Sequence, residues 1–168
     1  MDHAQWPPTL WLRIALATSL FVATTYAVEN SELAKWAMKW AAIGTAFVVE
    51  VTLAWLGTES QREFSTLISP GGFGYQIDFA CTGIIPAGFL GVAILASQSS
   101  FGARIRGVAI GVPCILLLNV IRLISLFYAG IWQPQAFEWV HSAVWQPLMV
   151  GSIVAFFLVW KHRMADRS

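Results

Sequence analysis

The sequence is short of charge. Only 11% of its 168 residues are Asp, Glu, Lys or Arg, while 57% are hydrophobic. An ordinary soluble domain carries about 25% charged residues. A chain of this length forms one domain, and a soluble domain so small has too little interior to hide this much apolar surface, a demand that lipid removes. Cysteine is scarce too. Cys81 and Cys114 are too few for a disulfide scaffold and lack metal-site spacing, so no metal and no other cofactor is expected. The net charge is +1, and no basic stripe marks a nucleic-acid partner. Met1 to Pro8 holds no Lys or Arg, so it lacks the basic start of a signal peptide, and the first apolar segment is expected to remain as a helix. Internal repeats and low-complexity tails are absent.

What the sequence does have is five apolar runs, at about 10–28, 36–56, 79–96, 107–131 and 140–161. Each is close to the roughly 20 residues that span a bilayer as a helix. The expected fold is therefore all-α, a polytopic transmembrane bundle of about five helices in one integral membrane domain covering 1–168. Between the second and third runs lies a longer polar segment, Gly57 to Asp78, with Pro70-Gly71-Gly72-Phe73-Gly74 inside it.

Basic residues orient the bundle. A cytoplasmic C-terminus places Lys35, Lys39, Arg104, Arg106, Lys161, Arg163 and Arg167 at cytoplasmic ends and leaves Arg13 and Arg62 on the other side. That bias predicts an external N-terminus and external 57–78 and 132–140 connections, in the cytoplasmic (inner) membrane.

Charged and reactive residues inside the runs are the candidates for function. Arg122 lies in Asn119-Val120-Ile121-Arg122, and a charge at such depth usually faces a bundle interior. It falls about 12 Å below the outer end of its helix at ~1.5 Å per residue. Asn119 shares its face. Glu50 falls at about 9 Å depth by the same rise, so Glu50 and Arg122 are a possible ion pair, even if one that only pins two helices together. Cys81 opens the third run on its outer side, where the positive end of a helix favours a thiolate. Taken alone it reads more readily as a small buried residue. Cys114 sits about 12 Å deeper than Arg122, too far from Cys81 for a disulfide, and reads as packing. His141 opens the fifth run and titrates near neutral pH. His3 and His162 read as polar anchors.

Cys81, Arg122 and His141 belong to three different runs, yet the topology sends all three toward one face. Cysteine with histidine is the minimum for an activated thiolate nucleophile, and arginine can stabilise an oxyanion.

Phe79-Ala80-Cys81-Thr82-Gly83, Asn119-Val120-Ile121-Arg122-Leu123, and His141 with Trp145 resemble the exosortase/archaeosortase family over about residues 70–161. The resemblance is greatest to the compact exosortase H type. Thr82 stands where the family more often has Ser, which keeps a hydroxyl. The resemblance implies a membrane cysteine transpeptidase with Cys81, Arg122 and His141 as its catalytic residues and Asn119, Thr82 and Gly83 in support. Glu50 is a further supporting candidate with no counterpart in the family. The implied partners are exported proteins that end in a short motif, a hydrophobic helix and a basic tail.

Two other classes compete. A small transporter or channel subunit would line a polar path with Glu50, Asn119 and Arg122, but Val108 to Leu118 is almost wholly apolar, which argues against a through-path. A membrane assembly scaffold would use the tryptophans as anchors, although nine Trp suit any aromatic belt.

Overall fold

A computed structural model describes residues 31–97 and 99–165. The chain divides into two units, 1–38 and 39–168. The first apolar run, 10–28, lies outside the described residues. In the first unit the described part is the start of helix α1 (Glu32–Trp55), where Lys35 pairs with Glu32 at 2.8 Å.

Helix α1 ends as its sequence dictates. Gly57 takes φ +76, its N–H donates to the Ala54 carbonyl and that of Thr58 donates to the Leu53 carbonyl. This Schellman cap needs a residue that tolerates the left-handed region. The chain then forms a small antiparallel sheet of order β1-β2-β3 (Gln61–Glu63, Thr66–Ile68, Gly74–Gln76). The expected all-α bundle fits coarsely, with this small sheet as an addition, because strands of three residues leave no alternating pattern to read.

The sheet lies back along α1. Arg62 Nε pairs with Glu50 at 2.7 Å, and its guanidinium stands 5.6 Å from the Phe47 ring centre. At the hairpin turn Phe64 takes φ 54 and presents its ring 5.9 Å from Lys39 Nζ. The basic-residue count sets Lys39 and this loop at opposite ends of the helix, and the contact brings them together because the loop folds back beside α1.

Helix α2 (Ile84–Ala96) is the largest departure from expectation. Its 13 residues reach about 20 Å at ~1.5 Å per residue, short of the roughly 30 Å hydrocarbon core. Residues 79–81 form a 3-10 turn instead. Yet the segment as a whole runs antiparallel along helix α3 (Phe101–Trp132). Phe73 lies on Gly130, Tyr75 Oη donates to the Leu123 carbonyl, Cys81 meets Asn119, and Leu90 lies on Gly111. The third run is thus irregular chain over its first five residues and helix over the remaining 13. Irregular backbone at membrane depth survives only where protein or a wet cavity covers it. Here the Tyr75, Leu67 and Ile77 side chains enclose it in a core with Ala46, Val49, Leu53, Leu123 and Phe127.

Helix α3 begins at Phe101, earlier than the expected 107, and Pro113 lies inside it. The last helix, α4 (Gln146–Ala165), returns along α3, with Phe156 on Gly111 and Trp160 on Gly107. A six-residue π-helix, Val140–Trp145, precedes it. Pro147 has no N–H to donate and its ring crowds the preceding turn, which accounts for the wider turn there. Three helical stretches among the described residues are long and apolar enough to cross a membrane: Glu32–Trp55, Phe101–Trp132 and Pro134–Arg163. Leu117, Ile121, Val150, Val154 and Leu158 point outward from them, as lipid-facing side chains do. The chain is a mostly helical membrane protein.

The Phe73 ring occupies the place where a Cβ at position 130 would stand. Gly130→Val is therefore expected to cost about 1–3 kcal/mol by overpacking, read as a lower thermal-unfolding midpoint in detergent. Gly102→Ala, facing open space, is expected to leave the midpoint unchanged or raised.

Candidate active site

The site is assembled on Asn119, which is fully buried in α3. Its Nδ2 donates to the Cys81 carbonyl at 2.8 Å, and its Oδ1 accepts from the Arg122 guanidinium at 3.2 Å. One amide therefore holds both the backbone of the thiol and the cation. Gly83 makes this possible. It takes φ +80, and a Cβ there would lie 2.7 Å from Asn119 Cβ, so only glycine lets the two segments approach so closely. Thr82 is buried, and its hydroxyl donates to the Phe79 carbonyl at 2.7 Å. That bond closes the 3-10 turn carrying Cys81.

Cys81 is a half-buried free thiol, and Cys114 is free as well. The expectation that Cys114 fills packing space is corrected, because its side is exposed on α3. Cys81 meets α3 at Asn119, thirteen residues before Trp132, or about 20 Å from that end of the helix.

Arg122 is 7% exposed. Its Nε is buried without a partner, and no carboxylate among the described residues lies within ion-pair distance of it. The expected Glu50–Arg122 pair does not form, since Glu50 is bound to Arg62. A buried cation without a counter-ion is costly, and this one keeps its Nε donor unspent. Its charge acts on both the Tyr75 phenol and the His141 imidazole.

His141 sits in the π-helix, a feature frequent at functional sites. Its ring lies 6.2 Å from that of Phe137, and Phe137 lies 5.7 Å from both Phe73 and Tyr75. An aromatic cluster thereby links the last helix to β3. Among the described residues the Cys81 thiol and the His141 imidazole are not hydrogen-bonded, a common state in the absence of substrate.

Tyr75 escaped the sequence reading. Its hydroxyl donates to the Leu123 carbonyl at 2.9 Å, next to Arg122, and the phenol also interacts electrostatically with Cys81. The clue lay in the aromatic after Pro70-Gly71-Gly72-Phe73-Gly74, but nothing local to the sequence says that this loop turns inward. A groove of about 630 Å³ lies between α1 and α3, beside Thr82. Gly44, Val48, Leu116, Leu117 and Val120 line it.

Asn119→Ala removes the partner of a buried carbonyl and of a buried cation together. Each unsatisfied buried group costs about 1–3 kcal/mol, so this variant is expected to lose more stability than Ser152→Ala, whose hydroxyl bonds its own helix at an exposed position. Denaturant unfolding in detergent reads the difference.

The sequence profile of the transmembrane exosortase family matches residues 4–160. No curated protein and no solved structure is similar enough to the chain to match it. A profile covering nearly the whole chain, on a fold that joins Cys81, Asn119 and Arg122 inside a helical membrane protein, establishes the kinship: the chain belongs to the transmembrane exosortase family.

Proposed function

We propose that the chain is a membrane cysteine peptidase or transpeptidase that cleaves the C-terminal sorting signal of exported proteins. The observation that carries this reading is Arg122, a buried cation with no anionic partner among the described residues, gripped by the same Asn119 that grips the Cys81 backbone. Family membership supports it.

The chemistry follows from these groups. The Cys81 thiolate adds to the scissile carbonyl carbon, and Arg122 steadies the oxyanion that forms. The C–N bond breaks, leaving a Cys81 thioester, and the departing amine takes a proton from His141. An incoming amine or water gives its proton to His141 and attacks the thioester. The C–S bond breaks and the thiolate is restored. The apolar helix of the substrate lies in the groove between α1 and α3, so that the motif beside it reaches Cys81. Arg104, Arg106, Lys161 and Arg163 gather at the opposite end of α3 and α4, which supports a cytoplasmic position for that end and access to Cys81 from the outer face.

The test is processing of an exported substrate carrying a motif, apolar helix and basic tail, followed by its mobility shift in cells. Cys81→Ala, Arg122→Ala and His141→Ala are each expected to abolish processing at wild-type levels of protein, and Cys114→Ala to be silent. Intact processing by Cys81→Ala would sink the mechanism. Gly44 has open space beside it, so Gly44→Phe is expected to fill the groove and slow processing about tenfold or more, as a loss of roughly 1.4 kcal/mol in substrate binding would, without lowering the unfolding midpoint.

A further inference from the structure

A second cleft lies at the far end of the molecule from Cys81, between the start of α3 and the end of α4. It holds about 500 Å³, within the range of ligand-sized sites. Its walls are apolar, from Ile110, Ala155, Phe156 and Val159, and two arginines, Arg106 and Arg163, stand in its lining. They come from different helices yet share one opening. Neither forms an ion pair with any described residue. Arg106 spends only its Nε, on the Gly102 carbonyl at 3.3 Å.

Helices α3 and α4 contain no Asp or Glu at all, and the acidic residue nearest to Arg163 in sequence is Asp166, three residues beyond it. The cleft wall also includes Trp160, seated on Gly107, whose buried indole N–H has no acceptor among the described residues. A basic residue that serves only to orient a helix needs no cleft. Two arginines that converge on an apolar trough facing lipid fit a molecule with an anionic head and an apolar tail.

We infer that this cleft is a binding site for an anionic glycerophospholipid, with its phosphate between Arg106 and Arg163 and an acyl chain along Ile110, Ala155 and Val159. Basic pockets between membrane helices select such headgroups. The apolar walls exclude free phosphate as the natural occupant, and the two positive charges disfavour an apolar helix that ends in a basic tail. The site is separate from the thiol and does not depend on the proposed catalysis.

Native mass spectrometry of the full chain in detergent tests this, with phosphatidylglycerol and phosphatidylcholine of identical acyl chains as probes. The wild type is expected to retain phosphatidylglycerol about twenty-fivefold more strongly, the product of roughly fivefold for each arginine. Arg106→Gln with Arg163→Gln is expected to bring retention down to the phosphatidylcholine level. Ala155→Trp, at an exposed position that keeps every charge, is expected to lower it as well by filling the trough. Equal retention of the two lipids by the wild type overturns the inference. So does an undiminished preference in either variant, since that assigns the effect to diffuse surface charge.

Discussion

The amide of Asn119 is the point on which the site depends. Inside a membrane every backbone polar group needs a partner within the protein. A segment that enters the bundle as irregular chain and becomes helix only at Ile84 carries carbonyls that no helix satisfies. Asn119 answers the one at Cys81. Thr82 answers that of Phe79, and the Tyr75 hydroxyl ties the same segment to α3 at Leu123. These side-chain bonds replace the missing helical turns. They also set the thiol against α3 at a depth an unbroken helix would fill with its own backbone.

The same requirement explains the pairing of charges. The described spans offer one deep carboxylate, Glu50, and two arginines, Arg62 and Arg122, within its half of the molecule. Had Glu50 gone to Arg122, the result would be an ordinary buried ion pair with both charges spent. It goes to Arg62 instead, fixing the hairpin against α1. Arg122 is left with a neutral amide as its hydrogen-bond partner, which positions the guanidinium without neutralising it. That arrangement suits the proposed role of Arg122, to meet charge that develops in a reaction.

Much of this was legible in the residues, for identifiable reasons. Apolar runs and their flanking charges read out α1, α3 and α4 closely, because burial in lipid requires length and hydropathy that few other structures share. The helical spacing of Asn119 and Arg122 announced a shared face. The irregular start of the third run was not legible. Phe79-Ala80-Cys81 is as apolar as helix, and what breaks it is the left-handed Gly83 packed on Asn119, a contact between segments 36 residues apart. The hairpin was hidden for a related reason. Its polar strands look like an aqueous loop, and only the pairing of Arg62 with Glu50 and the ring of Phe64 near Lys39 bring them back along α1.

His141 shows how a local backbone rule sets the bearing of a candidate site residue. Pro147 stands at the second residue of α4, where its missing N–H leaves a carbonyl in the preceding turn without its usual donor. The chain widens to a π-helix over Val140–Trp145 and so rotates the residues before it relative to those after it. An uninterrupted α-helix that kept Phe156 on Gly111 and Trp160 on Gly107 would carry His141 round to a different bearing. With the wider turn, the imidazole lies beside Phe137 and within the field of Arg122. The proline thus lets one helix satisfy two demands at once: tight packing on the glycines of α3 along its far half, and a histidine turned toward the broken segment at its near end.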